Sequence, residues 1–219
     1  MNSGTVAGVL AGLLLGPLQN PPPPAPPDPP SRQEPTFQAP ILNTERIESG
    51  ELRSATGETI AYRIRLLPIA SFPGLPTPVA QVLMRRQCMI PQSFEAKQPE
   101  NVIHGSFRAP GSNDWAALCS LQGTTTLYVF FAGQFESPLA LRSQADSSWL
   151  EAAPGDTILG SSWGIAVRSA AELRASPQLH HGATLDHDAI DDARLERSLI
   201  VHYYQAGRWL DLNHSDGSD

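Results

Sequence analysis

Glu58 to Leu67 (ETIAYRIRLL) sets Ile60, Tyr62, Ile64 and Leu66 alternately against Arg63 and Arg65, a period of two that predicts a half-buried strand. After the turn-rich SFPGLP the period changes. Val79, Val82, Leu83 and Arg86 fall along one stripe, Thr77 reads as a helix cap and Pro78 as the first helical residue, so the spacing predicts a helix that ends near Gln87 and delivers Cys88 to the core edge. MIPQSF follows as an extended connection. From Asn101 to Leu141 short apolar runs (NVIHGSF, WAALCSLQ, TLYVFFAGQFESPLAL) alternate with turn clusters, the pattern of a β-meander in which no helix fits.

Asp146 to Gly160 reads as loop-rich, with an apolar run at Thr157 to Leu159, and Trp163 to Val167 is a further run. Ser169-Ala-Ala-Glu172 has the form of a capping box, opening a short helix that Pro177 stops. Asp188 reads as the cap of another helix, with Asp191 and Asp192 in its first turn and Arg194 and Arg197 in later turns, matching the helix dipole. SLIVHYYQAGRWLDL reads as a hairpin turning at Ala206-Gly207. The expected fold class is α+β with β dominant: an antiparallel meander or sheet with two or three short helices.

Composition divides the chain. Eleven of the 21 prolines lie between Pro17 and Pro40, and residues 20–40 have too few backbone donors for helix or sheet, which predicts a disordered, polyproline-like linker. Residues 41–213 carry enough ordinary sequence for one buried core, and 214–219 read as a flexible tail. Before the linker, Val6 to Leu18 is an apolar run interrupted by Gly16-Pro17, too short for the ~20 residues of a spanning helix and the right length for a signal peptide over 1–19. MNSGT ahead of it has no basic residue, so a misassigned start on a cytosolic protein stays open. The net charge of −7 and the absence of a Lys/Arg cluster argue against electrostatic binding to nucleic acid or an anionic membrane.

Cys88 and Cys119 are the only cysteines, an even number that pairs without a leftover thiol in an oxidising compartment, with two buried reduced thiols as the alternative. Alternation in WAALCSLQ places Trp115, Ala117 and Cys119 on one face, so a bridge would pin the end of the first helix over the meander.

Gly160-Ser161-Ser162-Trp163-Gly164 matches GxSxG, the turn that exposes a nucleophilic Ser in α/β-hydrolases, and Asp186 or Asp188 and His202 or His214 follow in the required order. The upstream meander is the wrong context for that elbow. His180, His181, Asp186, His187, Asp188, Asp191 and Asp192 gather metal-compatible side chains, which a polar loop running into an acidic helix start explains equally. Trp115, Trp149, Trp163 and Trp209 could line a carbohydrate or peptide groove, or fill the core.

Two resemblances rest on longer stretches. VIHGSFRAPGSNDWAALCSLQGTTTLYVFFAG, with Gly105, Phe107 and Asp114-Trp115-Ala116, resembles one blade unit of the FG-GAP and VCBS repeats of β-propellers. That family's calcium loop carries several Asp or Asn residues, whereas RAPGSND keeps only Asn113 and Asp114, so no structural calcium is expected. LPIASFPGLPTPVAQVLMRRQCMIPQSF, NVIHGSFRAPGSNDWAALCS and HDAIDDARLERSLIVHYYQAGRWLDL are together similar to a group of exported bacterial proteins of unassigned function. This second resemblance implies a signal peptide and a Cys88–Cys119 pair and supplies no catalytic residues. The expected function is that of an exported, non-enzymatic binding module of the envelope or extracellular space, with an envelope protein or a glycan as partner and no cofactor. The alternatives are a small serine hydrolase using Ser162, Asp188 and His202, and an inhibitor or chaperone-like partner protein.

Overall fold

The computed structural model describes residues 44–176, 184–195 and 197–214. The expected signal peptide, the Pro-rich linker, the stop at Pro177 and the tail beyond His214 lie outside these residues. The chain runs β1 (Arg46–Arg53), β2 (Thr59–Leu67), α1 (Thr77–Arg85), β3 (Ile90–Gln92), β4 (Val102–Gly105), β5 (Asp114–Leu121), β6 (Thr124–Phe130) and β7 (Leu139–Ala145). It continues with β8 (Leu150–Ala152), β9 (Leu159–Ser161), β10 (Trp163–Arg168), α2 (Ala170–Ala175), β11 (Ala189–Arg194), β12 (Ser198–Gln205) and β13 (Arg208–His214). The class is α+β with β dominant, and nearly all strand pairs are antiparallel.

Two four-stranded meanders form the body, one in the order β4-β5-β6-β7 and the other β10-β11-β12-β13. A third sheet has the order β1-β2-β9-β8, with β3 also paired to β2. The meanders pack face to face: Phe107, Ala116, Leu118, Leu127 and Val129 from the first share one buried cluster with Trp163, Ile165 and Ile190 from the second and with Trp149. The outer face of the first meander carries Ala117, Cys119 and Phe130, and Val79, Val82 and Leu83 of α1 cover it. Buried aliphatic side chains of this size contribute about 1.5–3 kcal/mol each, which is what holds a nine-residue helix that is too short to be stable alone. The outer face of the second meander is capped by Leu173 of α2, against Ala189, Val201, Tyr203 and Leu212. Strand β5 is therefore buried on both faces, and both halves of the WAALCSLQ alternation are core.

The two meanders meet along a seam between their first strands. The Asn101 carboxamide donates to the Trp163 carbonyl (3.1 Å) and accepts from the Ile165 N–H (3.0 Å), taking the place of a neighbouring strand on β10. At the other end Asp188 accepts from the Ser106 N–H (2.9 Å), while its own N–H donates to the Ser106 carbonyl (3.0 Å). Asn101 precedes β4 and Ser106 follows it, while Ala189, next to Asp188, pairs with Arg168 at the end of β10. The two strands thus run side by side in one direction, joined by side chains and a single backbone bond at Ser106 instead of a continuous ladder.

Several elements match the sequence pattern residue for residue. The capping box at α2 is complete, with Ser169 and Glu172 exchanging side-chain and backbone bonds. Helix α1 ends before Gln87, which takes φ of 58°. The last hairpin turns at Ala206-Gly207 with both φ positive (50° and 83°), as a two-residue primed turn requires. The structure departs from the pattern at three places. The cap of α1 is Pro76, which puts Thr77 and Pro78 inside the first turn. The helix expected from Asp188 is instead strand β11: Ile190 and Asp192 face the core between the meanders, while Asp191 faces the other way and pairs with Arg168. Acidic residues followed by arginines suit a helix dipole, and they equally suit a hairpin whose carboxylates find cross-strand partners. The stretch 146–160 also holds more order than a loop, since a 3-10 turn over Asp146–Trp149 leads into β8 and then β9.

Candidate binding groove and buried charge network

The residues of the hydrolase alternative do not converge. Ser162 lies between strands β9 and β10, not between a strand and a helix; it is fully buried, and its hydroxyl donates to the Trp149 carbonyl (2.7 Å). His202 stands across β11 from Val167, five residues beyond Ser162, a separation of about 16 Å at the rise of a strand. Its ring nitrogens face Asp211 (2.7 Å) and Asp192 (3.1 Å). Asp188 is spent on the seam and on the Ala170 N–H at the start of α2 (3.3 Å), so it does cap a helix, although not one that follows it. Both glycines of GSSWG have packing roles. A Cβ on Gly160 would stand 2.7 Å from the Cβ of Phe94, and Gly164 floors the groove described below.

Asp192 centres a buried polar network that sequence reasoning had assigned to a helix terminus. Its carboxylate accepts from the Trp163 indole N–H (2.6 Å), from Arg142 Nη1 (2.9 Å) and from His202. Burial pushes this carboxyl up, but the hydrogen bonds from His202 and Arg142 outweigh it and hold Asp192 below the usual aspartate range. Arg142 also lies over the Trp149 ring at 4.8 Å, and Trp149 stacks on Trp163 with centroids 4.3 Å apart. Trp149 and Trp163 are core residues, while the half-buried Trp115 and Trp209 pack against the two core clusters. The four tryptophans share no groove.

The metal-compatible residues diverge. His180 and His181 lie outside the described residues. Asp191 pairs with Arg168 (2.8 Å), Asp192 turns inward, and Asp186 bonds His187 Nδ1 (2.7 Å). The His187 bond draws the exposed Asp186 carboxyl below its usual range. His187 Nε2 is occupied by the Tyr204 carbonyl (2.7 Å). In the blade-like stretch, Asp114 is buried and accepts from the N–H groups of Arg108 and Ala132 (both 2.8 Å) and from the Ser112 hydroxyl, so protein donors fill the carboxylate at the end of RAPGSND. Cys88 and Cys119 form a disulfide with Cα atoms 4.9 Å apart.

One open groove, of about 580 Å³, lies on the part of the second meander's outer face that α2 leaves bare. Its floor is Gly164 and Ala166 of β10 with Ala193 of β11, small residues that alternate outward while Trp163 and Ile165 point into the core. One wall is the connection from β3 to β4, with Ser93, Glu95 and Glu100; the other is the β11–β12 turn, with Arg194, Leu195 and Arg197. No aromatic side chain lines it among the described residues. Sequence reasoning missed this site, although the outward Gly164 and Ala166 in WGIAVR were its visible signal. Among the described residues no helix is long and apolar enough to cross a membrane. Comparison with protein-family models, with curated proteins and with solved structures finds no match.

Proposed function

We propose that this chain is an exported, tethered, non-enzymatic binding module of the envelope or extracellular space, and that its groove over Gly164, Ala166 and Ala193 seats an extended polypeptide segment. The groove's lining carries this reading. A floor of Gly and Ala admits a main chain close to the sheet, and the charged walls offer donors and acceptors to its backbone and side chains. Sugar recognition usually uses an aromatic face, which the described lining lacks, so a polypeptide fits better than a glycan. The disulfide, of a kind that persists in oxidising compartments, supports export.

The test is selection from a displayed library of random short peptides against the immobilised full chain, repeated on Ala166→Trp. Ala166 is exposed on the floor, so the indole fills the groove without entering the core. The expected result is a set of peptides retained by the wild type and lost on the variant, with thermal unfolding of the two proteins alike. Peptides held equally by both, or none held by the wild type, would remove the reading.

A further inference from the structure

We infer that the groove selects by charge, taking an extended segment that carries a Lys or Arg side chain on the side of Glu95 and Glu100. This rests on the polypeptide reading above. The two walls differ in how their charges are already answered. Glu95 is exposed and forms no ion pair among the described residues. Glu100 is half-buried, uses Oε1 to accept from the Ser93 N–H (2.9 Å), and has no cationic partner among the described residues either. Lys97, the one cation of this connection, is exposed and does not line the groove.

The opposite wall is largely spent. Arg197 Nε lies 2.9 Å from Glu151 and Arg194 Nη1 3.6 Å from the same oxygen, so two guanidinium groups share one carboxylate. Arg194 is further held by the Ser148 carbonyl and by the Trp149 ring, 5.1 Å away. Asp191, at the edge of the floor, is answered by Arg168. What remains for a ligand is two carboxylates without a cationic partner among the described residues on one wall and, on the other, the exposed Arg197, already paired through Nε with Glu151. An extended chain alternates its side chains, so it can place a cation against Glu95 and Glu100 while a carbonyl or an acidic group meets Arg197. The walls are open to water, so salt screens this preference.

The experiment starts from a groove-dependent peptide of the selection above. Each of its positions is replaced in turn by Lys, Ser and Glu, and binding to the full chain is followed by fluorescence anisotropy at low and at physiological salt. At one position Lys should bind roughly tenfold tighter than Glu at low salt, with a smaller ratio at higher salt. On Glu95→Lys, a substitution at an exposed residue with no structural bond, the preference should reverse. Equal binding of Lys, Ser and Glu at every position would overturn the charge inference and leave the polypeptide groove standing. If the selection yields no groove-dependent peptide, the groove reading itself falls and this inference falls with it.

Discussion

Trp163 donates its indole N–H to Asp192 across 2.6 Å, inside a core where both side chains are almost wholly enclosed. The same carboxylate answers Arg142 and His202, so one residue of β11 satisfies an aromatic donor and two basic groups. Asp192→Asn keeps the shape and removes the charge, leaving Arg142 without its buried counter-ion and breaking the bond from His202. We expect a loss of about 3 kcal/mol in urea unfolding at neutral pH. The pH dependence follows from the direction of the shift. Because Asp192 is held below its unfolded value, its stabilisation is complete above about pH 4 and is lost as pH falls through the lower folded value. The gap between wild type and Asn variant should therefore narrow in strongly acidic buffer; a gap that stayed constant down to full protonation would mean that the charge is not what stabilises.

The seam offers a cleaner separation of hydrogen bonding from packing. Asn101 donates from Nδ2 to the carbonyls of Pro91 (2.7 Å) and Trp163, accepts at Oδ1 from Ile165, and adopts φ of 69°. Asn101→Ala orphans three buried backbone groups, for an expected cost of about 3 kcal/mol. Asn101→Asp, nearly identical in shape, turns a donor toward two carbonyls into an acceptor and should cost at least as much. If the Asp variant unfolded at the same denaturant concentration as the wild type, the side chain would be filling space and not stitching β4 to β10.

Much of this fold can be read from local pattern, for physical reasons visible at particular residues. Ile60, Tyr62, Ile64 and Leu66 in β2, the capping box of Ser169 and Glu172, and Ala206-Gly207 in the last hairpin each depend on neighbours a few positions away. What the sequence hid depends on partners far along the chain. Asp191 and Asp192 look alike until β10 and β12 decide which faces Arg168 and which faces Trp163, and Ser162 looks like a nucleophile until its hydroxyl meets the Trp149 carbonyl. The groove was least legible, because its floor is marked by the small size of Gly164, Ala166 and Ala193 and not by any reactive side chain.

Gly160 ties the GSSWG segment to the groove wall. Phe94 packs directly over it, next to Glu95, with its Cβ 2.7 Å from where a methyl would stand. The Phe94 N–H donates to the Ser161 carbonyl (2.8 Å), so the connection has little room to slide. Gly160→Ala should cost about 1–3 kcal/mol, as an overpacked site does, and should displace the wall that carries Glu95. Chemical shifts of residues 93–96 should move far more than those of the opposite wall. Full stability and unmoved shifts in this variant would show that the site absorbs a methyl by other means.

The final prediction concerns the bridge between Cys88, just after α1, and Cys119 of β5. The two are 31 positions apart, and closing a loop of that length in the unfolded chain corresponds to about 3–4 kcal/mol of native stability. Replacing both by Ser should therefore lower the free energy of unfolding by that amount without changing the far-UV circular dichroism. Val79, Val82 and Leu83 still dock α1 on Ala117 and Phe130 in the folded state. Both sulfur positions are buried, so a native disulfide should resist mild reductant and yield only when the chain is partly unfolded. Unfolding with strong reductant should reduce the wild type to the stability of the double Ser variant, whose own midpoint stays where it was. A wild type equally stable with and without reductant, together with two thiols titrating in the unfolded chain purified without reductant, would show that the pair does not form in the protein as made.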